Sequence, residues 1–249
     1  MPARRIIPCL DVMGKRTVKG IRFENLSDVG DPVALAMRYA QDGADELVLL
    51  DISATIEERS TFAAVVEDVA AAIAIPFTVG GGIRSERDME HMLRCGADKV
   101  AVNTAAVADP SLIDRCAAAF GSQCVVLAVD VRREGHVWQV MTHSGKRTTG
   151  LDALEWASVA EGRGAGEILC TSIDRDGTKD GFDTDVIAAV AHTVRLPLIA
   201  SGGAGRVEHF VDPLVSGADA VLAAGMFHRG ECTVDTLKNY LRTCSIEVR

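Results

Sequence analysis

The chain has 249 residues, 48% hydrophobic and 24% charged, enough to bury a full globular core. A formal net charge of -9 excludes the broadly basic face that nucleic-acid backbones require, but it leaves room for small anions held by local cations or backbone N–H groups. Aromatic residues make up only 4%, so Val, Ile, Leu and Ala must fill the interior.

Taken from the start, Arg4 and Arg5 precede an apolar run that Pro8 and Asp11 break well short of a signal peptide or membrane span. The expectation is a cytoplasmic chain that neither enters a membrane nor binds nucleic acid. Strands are expected at 5–11, 46–51, 76–80, 99–103, 124–130, 167–172, 197–201 and 220–224, with amphipathic helical stretches between them. Their nearly continuous apolar character is what a parallel sheet covered by helices requires. Asp31-Pro32 and Asp109-Pro110 mark helix starts, with Gly43 and Gly121 at the ends of those helices, and Ser85 with Asp88 loosely resembles a capping box. One stretch departs from the alternation: Val137 to Thr149 reads as a β-hairpin with a Ser-Gly turn, inserted after the fifth strand.

The chain also repeats itself. GADELVLLDI (43–52) matches GAGEILCTSI (164–173), PFTVGGGIR (76–84) matches PLIASGGAGR (197–206), and CGADKVAVN (95–103) matches SGADAVLAA (216–224), each pair 121 positions apart. A constant offset over three segments points to two half-barrels, about 1–122 and 123–249. Together they form one α/β domain over 1–249, a single (β/α)8 TIM barrel.

In such a barrel the chemistry sits at the C-terminal ends of the strands. Asp11 ends the first strand and Asp130 the fifth, opposite each other in the ring, a spacing suited to protonating one side of a substrate while deprotonating the other. Gly80-Gly81-Gly82 and Gly202-Gly203 follow the third and seventh strands, where backbone N–H groups can approach phosphate. Asn103-Thr104 and Ala224-Gly225, at the ends of the fourth and eighth strands, complete two pockets for a ligand with a phosphate at each end. At the other mouth Arg5, Glu46, Lys99 and Glu167 begin their strands, and taken alone they read as solvated charges. The six histidines lack metal-ligand spacing, the seven cysteines form no C-x-x-C pair, and no dinucleotide fingerprint follows the glycines. Neither metal nor cofactor is expected, and the cysteines are expected to be reduced and in the core.

These residues resemble a known family. RIIPCLDV, VKGIRFENLSDVGDPV, VGGGIRS, VNTAAVADPSLI, IDRDGTKDGFD and IASGGAG, in order and nearly end to end, are similar to the cyclase subunit of imidazole glycerol phosphate synthase, in histidine biosynthesis. The sister isomerase of that pathway is less similar around 9–32 and 137–151; its activity, or a non-catalytic phosphate-binding barrel, is the alternative. The resemblance implies an acid–base pair in Asp11 and Asp130 and a substrate-contacting cation in Lys19. It implies phosphate contacts at Gly82, Asn103 and Thr104 and at Gly203, Ala224 and Gly225, and a substrate loop at Asp176 and Gly177. It also turns Arg5, Glu46, Lys99 and Glu167 into a gate for ammonia, delivered by a separate glutaminase docked near Asp98. Two positions depart from the family: Gly225, where serine is frequent, and Met13, where an acidic residue is more usual.

Overall fold

A computed structural model describes the backbone of residues 3–21, 24–52 and 56–249; the side chains of 19–26 and 53–61 lie outside the described residues. In chain order the strands are β1 (Arg5–Met13), β2 (Arg16–Ile21), β3 (Glu24–Gly30), β4 (Leu47–Asp51), β5 (Phe77–Gly80), β6 (Lys99–Val102), β7 (Val125–Glu134), β8 (Val137–Thr142), β9 (Arg147–Asp152), β10 (Glu167–Ser172), β11 (Leu198–Ser201) and β12 (Ala220–Ala223). β1, β4, β5, β6, β7, β10, β11 and β12 pair in that order, all parallel, and β12 returns to β1. The closed eight-stranded barrel expected from the sequence is present.

Strand alternation divides the core in two. On β1, Ile6, Leu10 and Val12 face outward into the layer packed under the helices, while Ile7 and Cys9 face the barrel axis. Val48, Val126, Leu169 and Ile199 share that axial cluster with the small residues Ala101 and Ala220. The helices are α1 (Pro32–Gln41), α2 (Ile56–Ala72), α3 (Glu86–Arg94), α4 (Thr104–Ala108), α5 (Ser111–Phe120), α6 (Ala153–Gly162), α7 (Thr184–Thr193), α8 (Val211–Val215), α9 (Gly225–His228) and α10 (Val234–Thr243). No helix among the described residues is long and apolar enough to cross a membrane.

The helix punctuation holds with one adjustment. The Asp31 carboxylate accepts the Ala34 N–H at 2.9 Å, with Pro32 opening α1. Ser85 Oγ accepts the Asp88 N–H at 3.2 Å, and the Asp88 carboxylate reaches back to accept the Arg84 N–H at 2.8 Å. Asp109 instead follows the short helix α4, and α5 begins at Ser111, whose N–H donates to the Asp109 carboxylate at 3.1 Å.

Among the described residues, two antiparallel strand pairs stand outside the barrel where the sequence marks one. β8–β9 carries the expected one, and β2–β3 pairs antiparallel with the end of β1 in the same manner. Gly20 and two register shifts, at Thr17/Val18 and Lys19/Ile21, erase the strict alternation that would have signalled it. Both aspartates stand where a strand leaves the barrel to join its hairpin: Asp11 opposite Val18, Asp130 opposite Met141.

The opposite rim is fastened by a recurring Gly-Ala-Asp. Asp45, Asp98 and Asp219 each precede a strand, and their carboxylates accept the N–H of Ile6, Phe77 and Leu198 on the neighbouring strand at 2.8, 2.9 and 3.0 Å. At the fourth occurrence the aspartate is Gly166, whose N–H still bonds Val125 O at 2.9 Å.

Candidate active site

Each inward position on β1 contributes to one line through the molecule: Arg5 at the floor, Ile7 and Cys9 in the interior, Asp11 at the top. The top opens into a cavity of about 940 Å³. Asp11, Gly82, Asn103, Thr104, Asp130, Asp176, Gly177, Gly203, Ala224 and Gly225 all line it, so the sequence-marked residues from seven strand ends converge. Lys19 pairs with Ser27 across β2–β3, and its side chain lies outside the described residues.

β1 and β7 are four places apart in the ring either way round, so Asp11 and Asp130 face one another across the cavity. Their surroundings differ. Burial, reinforced by the negative charge of Asp176 and only partly offset by the Asn103 amide, pushes the Asp130 carboxyl up to about 7. Asn103 Nδ2 donates to Asp130 Oδ2 at 3.0 Å. The position corresponding to Asn103 in the other half is Ala224, which has no amide to offer Asp11. Asp11 has the Cys9 thiol 3.9 Å from Oδ1 and is itself 5% exposed. The Asn103 side chain therefore faces Asp130 rather than the phosphate pocket alone.

The glycine loops are built alike. Gly81 and Gly202, 121 positions apart, have φ of 90° and 96°, and a β-carbon on them would stand 2.0 Å from Asp51 O and 2.7 Å from Ser172 O. Only a residue without a side chain lets these loops lie against the preceding strand's exit. Among the cavity residues that the sequence did not mark are Asp51, Arg84, His143, Lys179 and Arg229. Asp51 ends β4 and so carried the same strand-end signal as Asp11. His143 is placed by the β8–β9 turn, where it and Ser144 both adopt φ of 55°. Its N–H donates to Thr104 Oγ1 at 3.1 Å, a contact across 39 residues that no local pattern reveals.

The floor corrects the reading of four solvated charges. Arg5 bonds Glu46 at 2.8 Å and Glu167 at 2.7 Å, and Lys99 bonds the same two carboxylates at 2.9 and 2.8 Å. Charges alternate around a closed ring, and only Lys99, with a side chain 20% exposed, keeps appreciable contact with solvent. Burial would raise the Glu46 carboxyl, but Arg5 and Lys99 together hold it below its usual range. Asp98 is exposed beside this ring, with one oxygen committed to Phe77 N. All seven cysteines are free thiols; five are buried, but Cys124 is half-buried and Cys244 exposed, so not all belong to the core.

Residues 5–233 match the sequence pattern of a family described as histidine biosynthesis protein. The chain belongs to that family. Among curated members of the histidine biosynthesis family, imidazole glycerol phosphate synthase subunit HisF from Dehalococcoides mccartyi strains BAV1 and CBDB1 is 57% identical over 247 residues, covering 99% of this chain and 98% of theirs. The protein of the same name from strain 195 is 56% identical over the same span.

Proposed function

We propose that this chain is the cyclase subunit of an imidazole glycerol phosphate synthase. Its substrate would be the phosphoribulosyl-formimino aminoimidazole carboxamide ribonucleotide, with a phosphate at each end. The observation that carries the reading is the cavity itself: two carboxylates on opposite strands, flanked at either end by a glycine-loop pocket. Gly82, Asn103 and Thr104 would hold one phosphate and Gly203, Ala224 and Gly225 the other, with Asp176, Gly177 and Lys19 contacting the substrate. Ammonia adds to the ribulosyl carbonyl, the formimino link is cleaved and the imidazole ring closes, releasing imidazole glycerol phosphate and aminoimidazole carboxamide ribonucleotide. A carboxyl near 7 can take a proton in one step and return it in the next, which suits Asp130 to this exchange with Asp11.

Ammonia in water near neutral pH is mostly ammonium and a poor nucleophile. We place its entry at the Arg5–Glu46–Lys99–Glu167 ring, from a glutaminase subunit docked on the floor near Asp98. From the ring to Asp11 is six residues of β1, roughly 20 Å at strand rise. The path is lined by Ile7, Val48, Val126 and Leu169, which favour the neutral molecule. The test is turnover of the ribulosyl bisphosphate by the purified chain with ammonium salt at alkaline pH. Formation of both products is expected; consumption of the aminoaldose isomer instead would favour the sister isomerase, and binding without turnover an idle barrel.

A further inference from the structure

The two phosphate pockets are related by the repeat, yet they offer different donors. In the first, Thr104 and Ala108 line the cavity; 121 positions on, the same two places hold Gly225 and Arg229, which line it as well. A hydroxyl and a methyl have become an empty position and a guanidinium. The two changes are one arrangement. A β-carbon on Gly225 would stand 2.7 Å from Arg229 NH1 and 3.2 Å from NH2, closer than side chains approach, so the guanidinium occupies the space that a residue at 225 would fill.

The orientation of that guanidinium is set from its far edge. Glu231 accepts from Arg229 Nε at 2.5 Å and from NH2 at 3.1 Å, a two-point grip that leaves NH1 directed at Gly225. Lys179, which also lines the cavity, donates to Glu231 Oε1 at 3.3 Å. The hydrogen bond from Arg229 holds the Glu231 carboxyl at about 2, so this buttress is ionised at neutral pH.

We infer that Arg229, through NH1, is the charged donor to the phosphate bound at Gly203, Ala224 and Gly225, with Gly225 providing its room and Glu231 its aim. The inference rests on the two-phosphate reading of the cavity. It adds a difference between the two phosphate pockets to the difference already seen between the two aspartates. A substrate whose two phosphates are carried on different groups must bind one way round; the guanidinium at 229, where the first half has the methyl of Ala108, and Arg84 beside Gly82, where the second half has Gly205, place the cations differently at the two ends and so favour one direction.

The experiment compares Arg229→Met, Gly225→Ala and the double variant with the wild type. Steady-state turnover is measured with the ribulosyl bisphosphate and ammonium, and inorganic phosphate is titrated separately. Arg229 is exposed and Gly225 does not have a positive φ, so both substitutions are expected to leave the barrel intact. KM for the bisphosphate is expected to rise about tenfold or more in Arg229→Met, the loss of one charged hydrogen bond, with a smaller change in kcat. Gly225→Ala alone is expected to raise KM by displacing NH1, and to add little once Arg229 is gone. Inorganic phosphate is expected to bind more weakly to Arg229→Met. Unchanged KM and phosphate affinity in Arg229→Met, or effects of the two substitutions that simply add, would overturn the assignment. Absence of turnover in the wild type would count against the cyclase reading alone, since the phosphate titration decides the role of Arg229 without the reaction.

Discussion

At the scale of single residues, the asymmetry between the two aspartates matters most. Desolvation of its half-buried side chain, reinforced by the charge of Asp176, pushes the Asp130 carboxyl up to about 7, and the amide of Asn103 offsets only part of that. A carboxyl raised in the folded state is neutral in folded and unfolded chains alike below about pH 4, where it costs nothing. As pH climbs toward 7 the unfolded chain ionises and the folded one resists, so stability is lost across that window. Asp130→Asn removes the ionisation and keeps the shape. Its stability relative to wild type in urea unfolding is therefore expected to improve steadily from pH 4 to pH 7, by roughly 4 kcal/mol at most. A difference that stays flat with pH would mean that Asp130 is not held up by burial.

Among elements, the rim of Gly-Ala-Asp turns shows how the same local sequence meets different neighbours. Three of the aspartates pin the adjacent strand, but at Gly166 a β-carbon would lie 2.1 Å from the carbonyl oxygen of Ser122. That contact is with backbone and cannot yield cheaply. Gly166→Ala is expected to destabilise by about 2 kcal/mol or more in chemical denaturation, whereas Gly162→Ala, with open space around it and no positive φ, loses far less. This is also where the sequence stops being legible. Apolar runs such as ELVLLD and EILCTS sit in barrel strands because continuous burial leaves its mark on every residue, and strand-end aspartates and glycine loops follow from that register. The β2–β3 hairpin left no such mark, since Gly20 and two register shifts break its alternation. Arg229 and His143 reach the cavity through contacts set by the closed barrel, and the charged ring on the floor exists only once four strand starts have been brought together.

For the molecule as a whole, barrel closure is secured by residues far apart in the chain. Lys238 on α10, with a side chain 8% exposed, bonds the Asp45 carboxylate at 2.8 Å, and Asp45 in turn holds Ile6 on β1. Arg4 bonds Asp219 at 2.9 Å and pairs with Val248 at the end of the chain. Lys238→Met leaves a buried carboxylate with half its partners and is expected to cost about 3 kcal/mol in equilibrium unfolding; a loss below about 0.5 kcal/mol would mean that this closure is held by packing alone. The closed ring is also what sets Asp11 opposite Asp130, and the proposed reaction requires those two carboxylates to act together. The most direct measurement is turnover of the ribulosyl bisphosphate with ammonium by Asp11→Asn and Asp130→Asn beside the wild type, with substrate binding measured on the same samples. Each variant is expected to bind substrate while losing about 100-fold or more in kcat. Turnover near the wild-type rate in either variant would contradict the acid–base pair and the function built on it.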